Sequence, residues 1–416
     1  MASRLLLLGT LLLAACASHE PPVPLDRFLA GDLDAMREFF DREIRAGNAN
    51  SGALYLNQLA GVELLDGRLE SARKKFDAAG RFMNNDNVSG SEEFAAIWGA
   101  ESSKAWRGDP YEKAMNGYYT GILYWMADQP DNGRAAFRRG LNADSESEGE
   151  KFQNDFALLF WLAGRASVRM GLRDDAEAYF RQASEAQVFA VTHGARGNPE
   201  ARILREPARG NLICLVDMGL GPEKYPDGSD GELARFRARR RPEAQAEVFL
   251  GGQSLGRTEI LVDVPYQAAT RGGTAMEGIR KGKAVFKDLA TIGGIVAISR
   301  GLDTNDSSAR NTSIGIGIGL LALSLLTRAE ADVRHWTTLP DTVQVLAAEV
   351  PPGRHVLRIE FQDAFGNVLS GLTQEWTVEV PVSGEGVYYF RSLPGIDRRA
   401  ALRAEAPVGT ATEVKS

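Results

Sequence analysis

A chain of 416 residues, 44% hydrophobic and 25% charged, is globular material long enough for two or three domains. Its 48 basic and 55 acidic residues leave a net charge of −7, which argues against nucleic-acid binding, where cations must answer phosphates.

Arg4 precedes an apolar run, Leu5 to Leu13, broken only by Gly9 and Thr10 and closed by the small residues Ala14 and Ala15. A basic start, a short apolar stretch and small residues before a cut site are the parts of an export signal. The run falls short of the roughly 20 residues that span a membrane. Leu13-Ala14-Ala15-Cys16 resembles the lipobox of bacterial lipoproteins. That resemblance implies a signal peptide over residues 1–15 and acyl chains, palmitate among them, on Cys16. Two or more chains anchor stably, so the membrane itself is the first partner implied. Ala17 stands where an Asp would be the inner-membrane retention signal, which implies the outer membrane, facing the periplasm. Loss of residues 1–15 removes Arg4, so the net charge of −7 becomes −8. With Cys16 acylated, Cys214 has no intramolecular partner, and within Leu212–Val216 it reads as a small buried hydrophobe. Residues 16–31 form the lipidated start and tether, extended by Pro21, Pro22 and Pro24.

Over residues 32–190 the apolar residues recur at helical spacing. A pattern repeats within them: Ala72-x3-Phe76-x2-Ala79, Gly133-x3-Phe137-x2-Gly140 and Ala176-x3-Phe180-x2-Ala183. Twelve residues before each stands another small residue, Ala60, Gly121 or Gly164. Small residues at these places let paired helices approach, and the Phe fills the gap between pairs. The pattern resembles the tetratricopeptide repeat, a unit of about 34 residues. Here the units start 61 and 43 residues apart, and the closing proline is missing. The resemblance implies an α-solenoid with a concave binding surface. Trp98, Trp106, Tyr118, Tyr119, Trp125 and Trp161 are the candidate lining of that groove, with core packing as the competing reading.

Residues 191–243, rich in Gly and Pro, read as a linker. Strand signals follow at Ala246–Leu250, Glu259–Val264, Thr342–Val350, His355–Phe361, Gln374–Val380 and Gly386–Phe390. They predict a small β-sandwich over 244–269 and 338–392, so the fold class expected is multidomain α+β. Residues 270–337 interrupt it with two apolar segments, Leu289–Ser299 and Ile314–Leu326. A helical hairpin is the leading reading of this glycine-rich insertion, with Gly315 and Gly319 as a helix-packing or homo-oligomer contact. A membrane-inserting element and a glycine-rich strand remain alternatives. Residues 393–416 read as a disordered tail.

Lipobox, repeat helices and the stretch Ala331–Asp341 leading into Val350-Pro351-Pro352-Gly353 together resemble a family of bacterial envelope lipoproteins with tetratricopeptide-like repeats. That family has no settled function and is often encoded near lipoproteins similar to the curli secretion channel. The resemblance implies a part in envelope assembly or secretion and transfers no catalytic residue.

Signals for chemistry are sparse. His19, His193, His335 and His355 are scattered, with no metal-ligand spacing. The sequence contains no P-loop. Gly315-x-Gly317-x-Gly319 lacks the acidic residue of a dinucleotide site, and no cofactor is expected. Asp144-x-Glu146-x-Glu148-Gly149-Glu150 departs from a calcium loop and reads as a solvated acidic stretch. Arg235, Arg237, Arg239, Arg240 and Arg241 read as an exposed linker, or as a contact for anionic lipid or an acidic partner. The expectation is therefore a non-enzymatic scaffold that binds another envelope protein. The alternatives are an envelope glycan or peptidoglycan hydrolase and a structural subunit of an export complex.

Overall fold

The computed structural model describes residues 21–47, 49–84, 105–145, 155–227, 233–271 and 332–396. Helices fill the N-terminal half of the chain and several sheets its C-terminal half. Helices α1 (Leu25–Leu29) and α2 (Leu33–Arg45) come first, and Asp32 caps the second by accepting from the Ala35 N–H at 3.1 Å. Three helical pairs follow. They are α3 (Gly52–Leu65) with α4 (Leu69–Met83), α5 (Pro110–Met126) with α6 (Pro130–Ser145), and α7 (Ala157–Arg169) with α8 (Arg173–Thr192). Each pair packs on the next, α4 against α5 and α6 against α7. The first helix of each pair is buried nearly all round. In α4 and α8 the buried residues form one side only.

The small–Phe–small pattern accounts for the close spacing. Phe76, Phe137 and Phe180 lie on α4, α6 and α8, and Ala60, Gly121 and Gly164 on α3, α5 and α7. A methyl group on Gly164 would lie 2.5 Å from Cε1 of Phe180, and one on Gly121 would collide with the Phe137 ring. Gly67 and Gly171, at φ +73° and +74°, turn the chain between the helices of two pairs in a conformation that favours glycine.

After the short helix α9 (Arg202–Arg205) come β1 (Leu212–Met218), β2 (Glu223–Asp227), β3 (Leu233–Arg237), β4 (Gln245–Leu250), β5 (Gln253–Arg257) and β6 (Glu259–Asp263). Helix α10 (Val264–Arg271) follows, and then β7 (Thr342–Ala348), β8 (Gly353–Gln362), β9 (Gln374–Val380) and β10 (Gly386–Arg391). One four-stranded sheet has the order β10-β1-β7-β6, with β1 parallel to β10 and antiparallel to β7. A second, β5-β4-β8-β9, is antiparallel throughout, and β2 with β3 makes a separate hairpin.

All seven residues of β1 are buried, because this strand has a core on each face. Leu212, Cys214, Val216 and Met218 join Val248, Ile359, Phe361 and Val378 between the two four-stranded sheets. Ile213 and Leu215 alternate to the other face and join the core shared with the helices. A third cluster packs Phe28, Leu33 and Phe40 against Tyr55, Leu220, Leu393 and Ile396.

Several sequence expectations need amending. Residues 191–243 hold α9 and β1–β3 rather than a linker; their glycines serve tight connections, as at Gly210 (φ +92°) and Gly219 (φ +65°) on either side of β1. Strand β5 follows the Gly251-Gly252 turn and was not signalled. The tether stops short of residue 31, since α1 lies within it and buries Phe28. The tail begins later than residue 393, since Leu393 and Ile396 are buried. Cys16 and the signal segment, Trp98, the hairpin with Gly315 and Gly319, the glutamates of the acidic stretch at 146–150, and residues 397–416 lie outside the described residues.

Candidate functional site

The helical face and the β10-β1-β7-β6 sheet meet along a buried seam, which holds Tyr118, Tyr119 and Trp161 of the expected groove aromatics. Trp106, Tyr118, Tyr119, Trp125 and Trp161 are all buried. Tyr118 and Tyr119 do not line an open groove, because the chain's own sheet and Trp336 cover them. The Tyr119 ring stacks on Phe76 at 5.2 Å and meets Trp336 at 5.5 Å and Tyr389 at 6.2 Å.

At the centre of the seam the only acidic residue of β1, Asp217, is completely buried. Its carboxylate accepts from the hydroxyls of Tyr119 at 2.6 Å, Tyr389 at 2.8 Å and Tyr118 at 3.5 Å, and Arg391 lies 3.5 Å away. Burial raises the Asp217 carboxyl above its ordinary range, against Arg391 and the three hydroxyls, which favour its charged form. Burial beside Asp217 likewise pushes all three tyrosines well above their usual range and keeps them as donors. Arg391 also donates to the carbonyls of Gly219 at 2.8 Å and Thr338 at 3.1 Å.

Two further charge groups tie the halves together. Glu112 accepts from the Asp109 N–H at 2.7 Å, closing a capping box on α5, and from the Trp336 N–H at 2.6 Å. Burial and the nearby Asp109 push it up to about 8, against Lys224, whose Nζ lies 2.9 Å from Asp109. Arg165, on α7, donates to Glu385 at 2.9 Å and to the carbonyls of Pro207, Arg209 and Gly210 at 3.0, 2.7 and 2.6 Å. Beside it, the Trp161 indole N–H donates to Pro207 at 3.1 Å.

Tyr118, Tyr119 and Trp161 were singled out from the sequence; the charged residues of the seam were not. The available signal was a charge inside an apolar run, Asp217 within Leu212–Met218 and Arg165 within Ala157–Arg169. Chemically the seam is a closed electrostatic clamp. The histidines stand apart: His193 stacks on Phe189, His335 is buried beside Arg239, and His355 bonds the Pro351 carbonyl. Burial pushes the Cys214 thiol up to about 12. Among the described residues no group of three or more His, Cys, Asp or Glu is placed to hold a metal ion, and no helix is long and apolar enough to cross a membrane.

Several of the exposed large hydrophobic residues lie at the two ends of the sheets. At one end the β9–β10 turn exposes 91% of Val382, and Arg169 packs against Gly384 of the same turn. Val168, Met170 and Leu172, on either side of Arg169, are exposed too. At the other end, about 20 Å along β9, Gln374 bonds the carbonyl of Leu393, whose side chain packs with Val23 and Leu25 at the start of the described chain. A scan against protein-family models finds no match to this chain, and comparison with curated proteins and with solved structures finds none either.

Proposed function

We propose that the chain is a lipid-anchored scaffold of the bacterial envelope, held through Cys16 and binding another envelope protein at the end farthest from the tether. In this reading the three helical pairs are a tetratricopeptide-like solenoid, and the two four-stranded sheets are a small β-sandwich lodged on its inner face. The observation that carries the docking end is the set of apolar side chains left outside there, Val168, Met170, Leu172 and Val382. Charged and aromatic residues of the seam are buried against one another, so recognition passes to surfaces the chain leaves uncovered. The resemblance to repeat-bearing envelope lipoproteins supports a place in envelope assembly or secretion.

The test is crosslinking of the full membrane-anchored chain in cells, with Cys16→Ala and a Met170→Glu, Leu172→Glu, Val382→Glu variant alongside. One defined envelope protein should be captured by the wild type and lost from the triple variant, while Cys16→Ala leaves the membrane fraction. Capture that ignores the triple variant moves the docking surface elsewhere. Recovery of nothing but lipid and peptidoglycan removes the scaffold reading.

A further inference from the structure

We infer that the tether end of the molecule seats on the lipid surface itself, with Phe365 entering the membrane interface. This inference rests on the reading of Cys16 as the lipid attachment site, and it adds a second, non-covalent contact.

Phe365 is the tip of the connection between β8 and β9, and 91% of it is exposed. The turn that carries it is built. The Asp363 carboxylate accepts from the N–H groups of Phe365 and Asn367 and from the Asn367 side-chain amide, each at 2.9 Å. The Asp363 N–H donates to the Asn367 carbonyl at 3.0 Å, and Gly366 takes the turn at φ +85°. A large aromatic held in water by a pre-formed turn is expensive to keep unless something apolar receives it. Val368, just beyond the turn, is exposed as well.

Contacts traced through the fold put this tip at the tether end. Strand β8 ends at Gln362, whose carbonyl accepts from the Ala244 N–H at 2.8 Å, so Arg240 and Arg241 lead into β4 beside the base of the turn. Arg240 is exposed, and Arg241 lies 3.1 Å from Glu243. Strand β9 begins at Gln374, which bonds the carbonyls of Arg391 at 2.6 Å and Leu393 at 3.2 Å. Leu393 and Ile396 then pack with Phe28, Val23 and Leu25. Val23 is seven residues from Cys16, a reach of at most about 24 Å. The lipid is therefore never far from this end. A bilayer offers an apolar boundary to Phe365 and anionic headgroups to the arginines, and this pairing answers both features of the end at once. Val382, equally exposed at the opposite end, is the internal control.

The experiment uses the full chain in phosphatidylethanolamine–phosphatidylglycerol vesicles, with a polarity-sensitive nitrobenzoxadiazole label placed through Phe365→Cys or, separately, Val382→Cys. Cys214 is completely buried and does not compete for the label. The mass of the N-terminal peptide is measured first and states whether Cys16 is acylated. In acylated chains the label at 365 should brighten several-fold and be quenched by lipid-borne quenchers, while the label at 382 stays dark. A label at 365 as dark as that at 382, on a chain shown to be acylated, overturns the lipid seat and leaves the anchor standing. A chain without acyl groups overturns the anchor alone, and the seat is then judged on Cys16→Ser protein added to the same vesicles. There Phe365→Ser should lower partitioning roughly ten-fold, as loss of one buried aromatic predicts. Unchanged partitioning overturns the seat.

Discussion

Gly117→Ala is the most discriminating test of how the helical pairs pack. Gly117 lies on α5 where α6 crosses it. A methyl group there would lie 2.7 Å from Cα of Gly140, 2.8 Å from its nitrogen and 2.9 Å from the Ala136 carbonyl oxygen. Ordinary contacts with carbon sit near 3.5 Å or beyond, so the two backbones must part by about 0.8 Å. Overpacking of this kind costs about 1–3 kcal/mol, and the upper part of that range applies because backbone, not a rotatable side chain, has to yield. Alanine returns about 1 kcal/mol of helix propensity, which leaves a net loss of roughly 1–2 kcal/mol. Gly61→Ala, on α3, meets nothing within 4 Å and keeps only the propensity gain of up to about 1 kcal/mol. The two substitutions should therefore move the urea-unfolding midpoint in opposite directions, followed by circular dichroism on the mature chain. If both stabilise equally, glycine does not set the α5–α6 distance and the packing argument fails.

Two further outcomes follow from the seam. Arg165→Met strands Glu385 and three carbonyls in a buried site, and should cost about 3–5 kcal/mol by chemical denaturation. Adding Glu385→Gln should recover part of it, and a double variant no better than the single would refute the pairing. His335 carries the pH dependence: its Nδ1 bonds the Val333 carbonyl at 2.9 Å, and its Nε2 faces Arg239 at 3.0 Å and the Lys224 N–H at 3.4 Å. Burial holds it down to about 4 against an ordinary 6.5, so the folded chain binds this proton less readily than the unfolded chain. Stability from this residue is complete above about pH 6.5 and falls as the pH drops toward 4, by up to roughly 3 kcal/mol. His335→Gln, whose carbonyl still accepts from Arg239, should flatten that arm of the profile; equal losses in both proteins would refute the assignment.

What the sequence revealed and what it hid divide by distance along the chain. The Phe76, Phe137 and Phe180 pattern was legible because helix pairing is local, with each aromatic only a helix and a turn from its small partner. Strands β4 and β6 to β10 were legible from apolar and alternating runs and from punctuating turns such as Pro351-Pro352-Gly353 and Asp363–Asn367. Strand β1 was not, because a strand with a core on both faces has no alternation, and Leu212–Met218 carries only Asp217 to break its apolar run. The seam was hidden for another reason. Its partners lie 98 residues apart for Tyr119 and Asp217, 220 for Arg165 and Glu385, and 224 for Glu112 and Trp336, and no local pattern encodes such pairings. Aromatics that served equally well for a groove or a core were resolved only when the covering sheet was in place.

That covering sheet also determines what the molecule can offer. Without it, Tyr118, Tyr119 and Trp161 would face water; without the helices, Ile213, Leu215, Val343 and Val345 would. Apolar faces alone would allow one layer to slide over the other, since burial of area is indifferent to small displacements. The charges are not indifferent. A shift of one residue would part Asp217 from Tyr118 and Tyr119, and Arg165 from Glu385, and each unpaired buried charge costs several kcal/mol. Asp217 and Arg165 thus convert a greasy contact into a single registration of sheet on helices. The cost of that arrangement is that this helical face is used up inside the chain. Recognition is left to the rims, one bearing Val382 and the α7–α8 turn, the other bearing Phe365 beside the tether. Under the proposed function, one face would fix the orientation on the membrane and the other would meet the partner, and the seam between them would hold the two in a constant relation.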